Sequence, residues 1–341
     1  MVRETSHQKT KRLPTSYDVA QHAGVSQSAV SRCFKPGASV SRKMRERVMR
    51  SVEELGYRPN AIARGLITRR SNMVAVIVSN LRYYPEVLSE LSRRLSERGI
   101  HVLLFDLDHE SDLAKVFDQI WQYQVDGVVA AAYLEPAQLR QFEERHIPLV
   151  LYNRSRKDFA VSSVSCDQAQ GERELVDMLV NDCGHRTFAV IGGPPDSVVS
   201  LQRTESAIRR LRKLGIKQIA RDAGDYGYDS GRQAIRRIME SRKRPPSAVI
   251  CANDMMAIGV VDELRLHLDI DVPGDVSVVG FDGSRAGQWL SYDLATIEQP
   301  VESMAEAAVS MLMQRIDNEG LPPERRTFSG VLRTGSTVRL K

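Results

Sequence analysis

The amino-acid sequence predicts an α/β core of two doubly wound parallel-sheet lobes, together with a small all-α headpiece. Its 341 residues exceed the usual length of one domain. From Met73 onward, strand-like and helix-like patterns alternate, which is typical of parallel sheets with helices on both faces. Residues 72–341 are too many for one small sheet, so two lobes are expected there. Residues 14–58 show only short helical patterns and predict a separate headpiece.

The composition is that of a globular protein without a membrane span. Hydrophobic residues make up 42% of the chain and charged residues 27%. The longest apolar runs, such as Met73–Val78, have the length of strands. Residues 1–13 are polar and basic, so we expect a disordered tail there and no secretory signal. These features predict a cytoplasmic protein without a membrane partner.

Cysteine and histidine positions argue against disulfides and metal sites. No CxxC pair occurs, which predicts reduced, mostly buried thiols. The seven histidines do not cluster at metal-ligand spacing. We therefore expect neither a metal nor another cofactor. The four cysteines are Cys33, Cys166, Cys183 and Cys251.

Positive charge is concentrated at the start of the chain. Residues 1–70 contain 15 Lys and Arg against 5 Asp and Glu, a net charge of +10, whereas the remaining residues have a net charge of −5. The positive residues are interleaved with helical patterns, unlike those of a solvated basic tail. This asymmetry predicts that the first fifth of the chain binds a polyanion.

Three short helices are predicted in the headpiece. Each begins after a Ser or Thr that can cap it, and the first start resembles a capping box. Glycine follows the first and third helices, as expected for helix ends. The predicted N-caps are Thr15, Ser26 and Ser41, and the predicted ends are Ala23, Phe34 and Leu55.

The stretch Asp18–Arg32 has the pattern of a helix-turn-helix. The small side chains of Ala20 and Ala23 allow two helices to approach closely. Such a pair places its second helix in the DNA major groove, which is wide enough for one helix. Three polar residues suited to base or phosphate contacts are then left on the outer face, namely Gln27, Ser28 and Arg32.

This segment resembles the headpiece of the lactose/galactose repressor (LacI/GalR) family. The likeness continues through Val40-Ser41, Leu55-Gly56-Tyr57, Pro59-Asn60 and Ala63–Leu66, and it departs at Ala29, where the family usually has Thr. It implies a transcriptional regulator, a repressor and not an enzyme, that binds palindromic double-stranded DNA as a homodimer. The expected DNA-contacting residues of the headpiece are Ser16, Tyr17, Ser26, Gln27, Ser28, Ala29, Ser31 and Arg32.

Residues 59–71 are interpreted as a hinge helix and linker. In similar repressors, two hinge helices enter the minor groove of the operator, and a leucine from each wedges into the central base step. Leu66 has the matching position, with Asn60, Ala63 and Arg64 as further expected contacts. The alternative is an ordinary linker with one exposed leucine.

The remaining residues resemble the type I periplasmic sugar-binding fold used by the same family, which implies an effector-binding and dimerisation domain. Predicted strands are Met73–Val78, Val102–Asp106, Gly127–Ala131, Leu149–Tyr152, Phe188–Ile191, Ala248–Cys251 and Val276–Phe281. Predicted helices include Glu86–Glu97, Gln168–Val180, Leu201–Leu214 and Met255–Leu266. Ligands of such sheets bind at the carboxyl ends of the strands.

By position, the resemblance implies a sugar or sugar derivative as effector, held by Tyr83, Asp167, Arg203, Tyr226, Asn253 and Asp282. Structural roles are open for three of them, because Asn253 and Asp282 can cap a following turn or helix and Tyr226 can be core. Ser206 replaces a usual Gly, and the loop Leu81–Pro85 is shorter than in the family. Arg82 with Arg203 would suit an acidic or phosphorylated sugar.

Other functional classes are less well supported. An enzyme on a Rossmann-like scaffold would need a phosphate-binding glycine motif, but Ile191–Pro195 lacks the GxGxxG spacing and contains two prolines. The basic headpiece argues against a transport protein. A regulator with a vestigial pocket that responds to a protein partner stays open. A dimer is favoured over a tetramer, since no heptad tail follows Val338.

Overall fold

The chain divides between Ser71 and Asn72 into two compact units. The computed structural model describes residues 12–34, 37–58, 70–79, 81, 85–107, 113–156, 158–318 and 320–340. No helix in these ranges is both long and apolar enough to cross a membrane.

The first unit contains three helices, α1 (Ser16–Ala23), α2 (Gln27–Cys33) and α3 (Arg42–Leu55). The predicted caps are confirmed, since the side chains of Thr15, Ser26 and Ser41 each accept a hydrogen bond from a backbone N–H three residues later. Helix α2 ends one residue earlier than predicted, with Phe34 as its C-cap.

One valine from each helix closes the headpiece core. Val19, Val30 and Val48 are almost fully buried. Gly24, which follows α1, has φ 59°, a left-handed conformation that a side chain would strain. The tight turn and the small core together fix α2 against α1 and α3.

A six-stranded parallel sheet forms the first lobe of the second unit. The strands, in spatial order, are β2 (His101–Asp106), β1 (Met73–Val78), β3 (Gly127–Ala131), β4 (Leu149–Tyr152), β5 (Ser162–Cys166) and β11 (Arg325–Phe328). Helices α4 (Pro85–Glu97) and α11 (Val301–Asp317) cover one face of the sheet. Helices α5 (Leu113–Tyr123) and α6 (Pro136–Glu144) cover the other face.

The second lobe has a four-stranded parallel sheet and a separate antiparallel pair. The sheet strands, in spatial order, are β7 (Gln218–Ala223), β6 (Thr187–Gly192), β8 (Ala248–Cys251) and β9 (Ser277–Val279), and the pair is β10 (Thr296–Glu298) with β12 (Val331–Arg333). The helices are α7 (Gln168–Asp177), which continues as a π turn, α8 (Val198–Lys213), α9 (Tyr228–Glu240) and α10 (Asp254–His267).

The described chain crosses between the lobes from β5 to α7, from β10 to α11 and from β11 to β12. At the third crossing a Cβ atom on Gly330 would lie 2.4 Å from the Ile297 side chain, so the chain packs this closely against Ile297 only with glycine there. The two-lobed parallel fold confirms the predicted class. Of the predicted strands, Val276–Phe281 is shorter in the structure, at Ser277–Val279.

Candidate functional site

The outer face of α2 presents polar side chains to solvent. Ser28, Ser31 and Arg32 are exposed, and Gln27 is half-buried with its amide 3.4 Å from the Ser16 hydroxyl. Arg32 has no ion-pair partner within the described ranges. These groups can donate to base edges or phosphates from one helix face.

Tyr17 and Ser26 extend this surface. The Tyr17 side chain on α1 is 72% exposed, unusual for an aromatic residue without a partner surface. The Ser26 hydroxyl lies 3.0 Å from that of Ser28 and also caps α2.

Ala29 does not belong to the exposed surface. It is 3% exposed and is one of three buried residues of α2, with Val30 and Cys33. Its assignment as a DNA contact rests on its position in the family pattern and stays a prediction.

Five expected site residues lie outside the described residues. Four belong to the hinge: Asn60, Ala63, Arg64 and Leu66. The fifth is Tyr83, and Arg82 also lies outside. Their assignments stay predictions.

A cleft of about 1200 Å³ opens between the two lobes of the second unit. Four of the expected effector residues line it together, namely Arg203, Tyr226, Asn253 and Asp282. Within the described residues, no group of three His, Cys, Asp or Glu side chains could hold a metal ion. Arginine, carboxylate, amide and aromatic side chains line the cleft, so it offers hydrogen-bonding and packing surfaces to a ligand.

Arg203 is the fixed cation at the floor of the cleft. It is 3% exposed, and its guanidinium lies 3.9 Å from the centre of the Phe281 ring. Nε donates to Gln168 and Nη1 to the carbonyl of Ala252, while Nη2 lies 2.9 Å from Asp282. Burial is the largest single influence and lowers the pKa of Arg203, but the charge and hydrogen bond of Asp282, together with Tyr226 and Glu172, raise it on balance. Arg203 is thus charged and already compensated.

Arg203 belongs to a closed ring of hydrogen bonds, which we call the lobe-bridging ring. Asn153, at the end of β4, donates to Gln299 (3.0 Å), and Gln299 donates to Asp282 (2.6 Å). Arg203 pairs with Asp282 and donates to Gln168 (2.7 Å), which donates back to Asn153 (2.9 Å). The ring joins the first lobe to the second at two of the crossings.

Asn153, Gln168 and Gln299 were not predicted as site residues. Asn153 directly follows a predicted strand and Gln168 begins a predicted helix, so both carried a weak signal. Sequence does not show which strand ends the crossings bring together.

Tyr226 covers one wall of the cleft. Its φ of 70° is rare for an aromatic residue, and its hydroxyl lies 2.9 Å from that of Ser197. A Cβ atom on Gly193 would lie 2.4 Å from the ring, so this glycine leaves space for the aromatic wall. The ring offers an apolar surface to a ligand.

Asn253 has the structural role that was left open, and it also lines the cleft. Its Oδ1 accepts from Met256 N–H and caps α10, while Nδ2 donates to the Tyr226 carbonyl at 3.0 Å. The side chain therefore holds the backbone of Tyr226 in its unusual conformation.

Asp167 lies beside the cleft, and its assignment as an effector contact stays a prediction. It caps α7 by accepting from Gln170 N–H at 2.9 Å, and it lines a smaller groove beside the cleft. The family resemblance placed Asp167 with Asp282. In the structure, β5 lies next to β11, and the carboxyl end of β5 faces the groove.

Two buried carboxyl groups lie beside the ring. Burial raises the pKa of Asp254 to about 6, although the Thr296 hydroxyl and Ser284 N–H both donate to it. Burial raises the pKa of Glu172 to about 8, against the pull of Arg203. Oε2 of Glu172 has no hydrogen-bond partner in the part of the chain described. Glu172 is therefore protonated at neutral pH.

Family models match both units. Residues 15–60 match the model of bacterial regulatory proteins of the lacI family, and residues 160–338 match that of the periplasmic binding protein-like domain. The second match includes Arg203 and Asp282 and covers more than half of the chain.

Similar proteins match nearly the whole length. The HTH-type transcriptional regulator CelR of Thermobifida fusca is 32% identical, over 92% of this chain and 95% of that protein. A lac repressor dimer bound to operator and the anti-inducer ONPF has a TM-score of 0.86 and 26% identity, over 96% of this chain and 99% of that one. A CelR–cellobiose complex has a TM-score of 0.71 and 29% identity, over 95% and 99%. The chain therefore belongs to the lacI family of bacterial regulatory proteins and is a DNA-binding transcriptional regulator, not an enzyme.

Proposed function

We propose that this protein is a repressor that binds a palindromic double-stranded operator as a homodimer, and that a sugar bound in the cleft releases it. The lobe-bridging ring supports the proposal. Its members come from both lobes, so a ligand that replaces one of its hydrogen bonds alters how the lobes meet. A ligand changes DNA affinity only by its differential affinity for two such states.

The lining of the cleft suits the hydroxyl groups of a neutral sugar. Asp282 accepts hydrogen bonds, Asn253 and Gln299 can donate and accept, and the Tyr226 ring can cover an apolar sugar face. The CelR complex contains cellobiose, a neutral disaccharide. An acidic or phosphorylated sugar is no longer favoured, because Asp282 compensates Arg203. Seven further acidic side chains line the cleft: Glu86, Glu90, Asp196, Asp225, Asp254, Glu298 and Glu302.

On the DNA side, residues 14–58 read the major groove and residues 59–71 the minor groove. The headpiece set is Ser16, Tyr17, Ser26, Gln27, Ser28, Ser31 and Arg32, and the hinge set is Asn60, Ala63, Arg64 and Leu66. A dimer follows from the palindrome, because two hinges must meet in one minor groove. The lac repressor structure is such a dimer on its operator.

The site of action is the cytoplasm, where bacterial chromosomal DNA lies. The free, buried thiols of Cys33, Cys166, Cys183 and Cys251 are compatible with a reducing compartment.

The test is operator binding by the full chain. Genome-wide mapping of bound sites supplies the operator, and fluorescence anisotropy measures its affinity with each member of a panel of neutral mono- and disaccharides, cellobiose included. We expect one sugar to weaken binding by about 5- to 150-fold. Operator binding that no sugar alters would reject the proposed effector control.

A further inference from the structure

We propose that the smaller groove beside the cleft is a second binding site, which takes a phosphate-bearing anion. It has a volume of about 390 Å³. The first lobe contributes Tyr133, Arg154 and Arg156, and helix α8 of the second lobe contributes Gln202, Ser206 and Arg209. Asn153 and Gln168 of the lobe-bridging ring also line the groove, but the sugar response proposed above assigns no ligand to it.

The charge of the groove is opposite to that of the cleft. Three arginines line the groove against one carboxylate, Asp167. The cleft has the reverse balance, with more carboxylates than guanidinium groups among its lining side chains. The space between the two lobes thus contains an acid-rich cleft and a base-rich groove. An anion is attracted to the groove and repelled by the cleft.

Arg209 is the arginine best placed to bind a ligand. It is exposed and makes no ion pair or hydrogen bond within the described ranges, whereas its neighbour Arg210 is paired with both carboxylate oxygens of Asp177 at 2.7 Å. Gln202, Ser206 and Arg209 are spaced four and three residues apart, so they share one face of α8. That face forms one wall of the groove.

The opposite wall is held in position. Arg156 makes two hydrogen bonds to Asp158, at 2.9 and 2.7 Å, and stacks 5.0 Å from the centre of the Tyr133 ring. Arg154 donates to the Asn153 carbonyl and therefore lies directly beside the lobe-bridging ring. Asp158 compensates part of the charge of Arg156, so we expect Arg209 to be the principal anion donor of the groove.

Guanidinium groups bind phosphate oxygens through paired N–H donors. The hydroxyl of Ser206 and the amide of Gln202 can bind the hydroxyl groups of an attached sugar. Because the walls come from different lobes, an occupant favours one arrangement of the lobes. The groove is therefore a second input to the regulator, at a site adjacent to the effector cleft.

Isothermal titration of the full chain tests this proposal, with inorganic phosphate and glucose 6-phosphate as probes, glucose as the uncharged control, and chloride at equal ionic strength. The variant is Arg209→Ala. The matched control is Arg212→Ala, an exposed arginine of the same helix outside the groove. The headpiece is identical in all three proteins, so anion binding there cancels in the comparison.

We expect phosphate to bind the wild type and Arg212→Ala, and Arg209→Ala to bind it about tenfold more weakly or not at all. Tighter binding of glucose 6-phosphate than of phosphate would identify a sugar phosphate as the natural occupant, and equal binding would identify free phosphate. Absence of binding to the wild type, or equal affinity in Arg209→Ala and Arg212→Ala, overturns the proposal. Neither result affects the sugar response of the cleft.

Discussion

The Nδ2 group of Asn153 donates a 3.0 Å hydrogen bond to Oε1 of Gln299, and this contact links the end of β4 to the second crossing between the lobes. Gln299 also donates to Asp282, so the same amide reaches the second lobe. A relative movement of the lobes has to lengthen this contact or shift its neighbours. The two amides are therefore a point at which an effector can act on lobe orientation.

Gln299→Met is expected to weaken the sugar response. The thioether retains the length of the side chain but removes both ring hydrogen bonds, each of which contributes about 1 kcal/mol. The change in operator affinity that the sugar causes should therefore shrink by about fivefold. Gln314→Met, on an exposed face of α11, is the control. A full response in Gln299→Met would exclude the ring from the coupling.

Gly193→Ala should lower sugar affinity by about tenfold. A methyl group there would lie 2.4 Å from the Tyr226 ring, which has to move away from the cleft wall. Gly320→Ala is the matched control, because its nearest neighbour would be at 3.6 Å. Operator affinity without sugar should be unchanged in both variants. Calorimetric titration with the sugar measures the loss, and identical affinities in the two variants would remove Tyr226 from the site.

The buried carboxyl group of Glu172 makes stability depend on pH. Its pKa is about 8 in the folded protein and about 4.5 in an ordinary environment. The folded state thus holds a proton that the unfolded chain has lost, and this stabilisation fades as pH rises from about 4.5 to about 8.

Glu172→Gln should abolish this dependence. Between pH 5.5 and 7.5, the free energy of unfolding of the wild type should fall by about 2 kcal/mol relative to the variant. Urea denaturation of the full chain at both pH values measures the difference. Wild-type and variant stabilities that change in parallel would show that Glu172 does not retain its proton on folding.

Arg32→Ala should flatten discrimination among operator variants. The exposed guanidinium on α2 can bind a guanine edge with two hydrogen bonds, and loss of such a contact costs about 1–3 kcal/mol on the correct base only. Lys43→Ala, at the exposed start of α3, is the control and should weaken binding to all DNA sequences alike. Anisotropy with operator variants and random DNA distinguishes the two patterns. An equal loss on every sequence would assign Arg32 to phosphate contact alone.

Apolar runs and caps predicted most of the fold. Residues 73–78 are buried almost throughout, as expected for a central parallel strand, and the caps of the three headpiece helices are local hydrogen bonds. Strand β7 was not predicted, because an edge strand alternates exposed and half-buried residues and Gln218–Ala223 contains few apolar side chains. Strand β5 reads SSVSC, whose serines are stabilised by neighbouring strands that the sequence does not reveal.

The candidate site was predicted in part. Arg203, Tyr226, Asn253 and Asp282 do line one cleft, since parallel strands end at one edge of a sheet. That rule does not say on which side of a crossing a strand end opens, and the end of β5 places Asp167 at the smaller groove. The side chains that contact Arg203 could not be predicted, because the three crossings between the lobes bring them together.

The most direct test of the central claim is reciprocal binding in wild type and Arg203→Ala. Operator affinity is measured with and without the sugar that weakens operator binding by the wild type. Sugar affinity is measured with and without operator. For the wild type, we expect the operator to change sugar affinity by the same factor by which the sugar changes operator affinity, because the two effects are linked. For Arg203→Ala we expect near-normal operator affinity and no sugar response. A variant that responds at unchanged sugar concentration would contradict the account and place the effector outside this cleft.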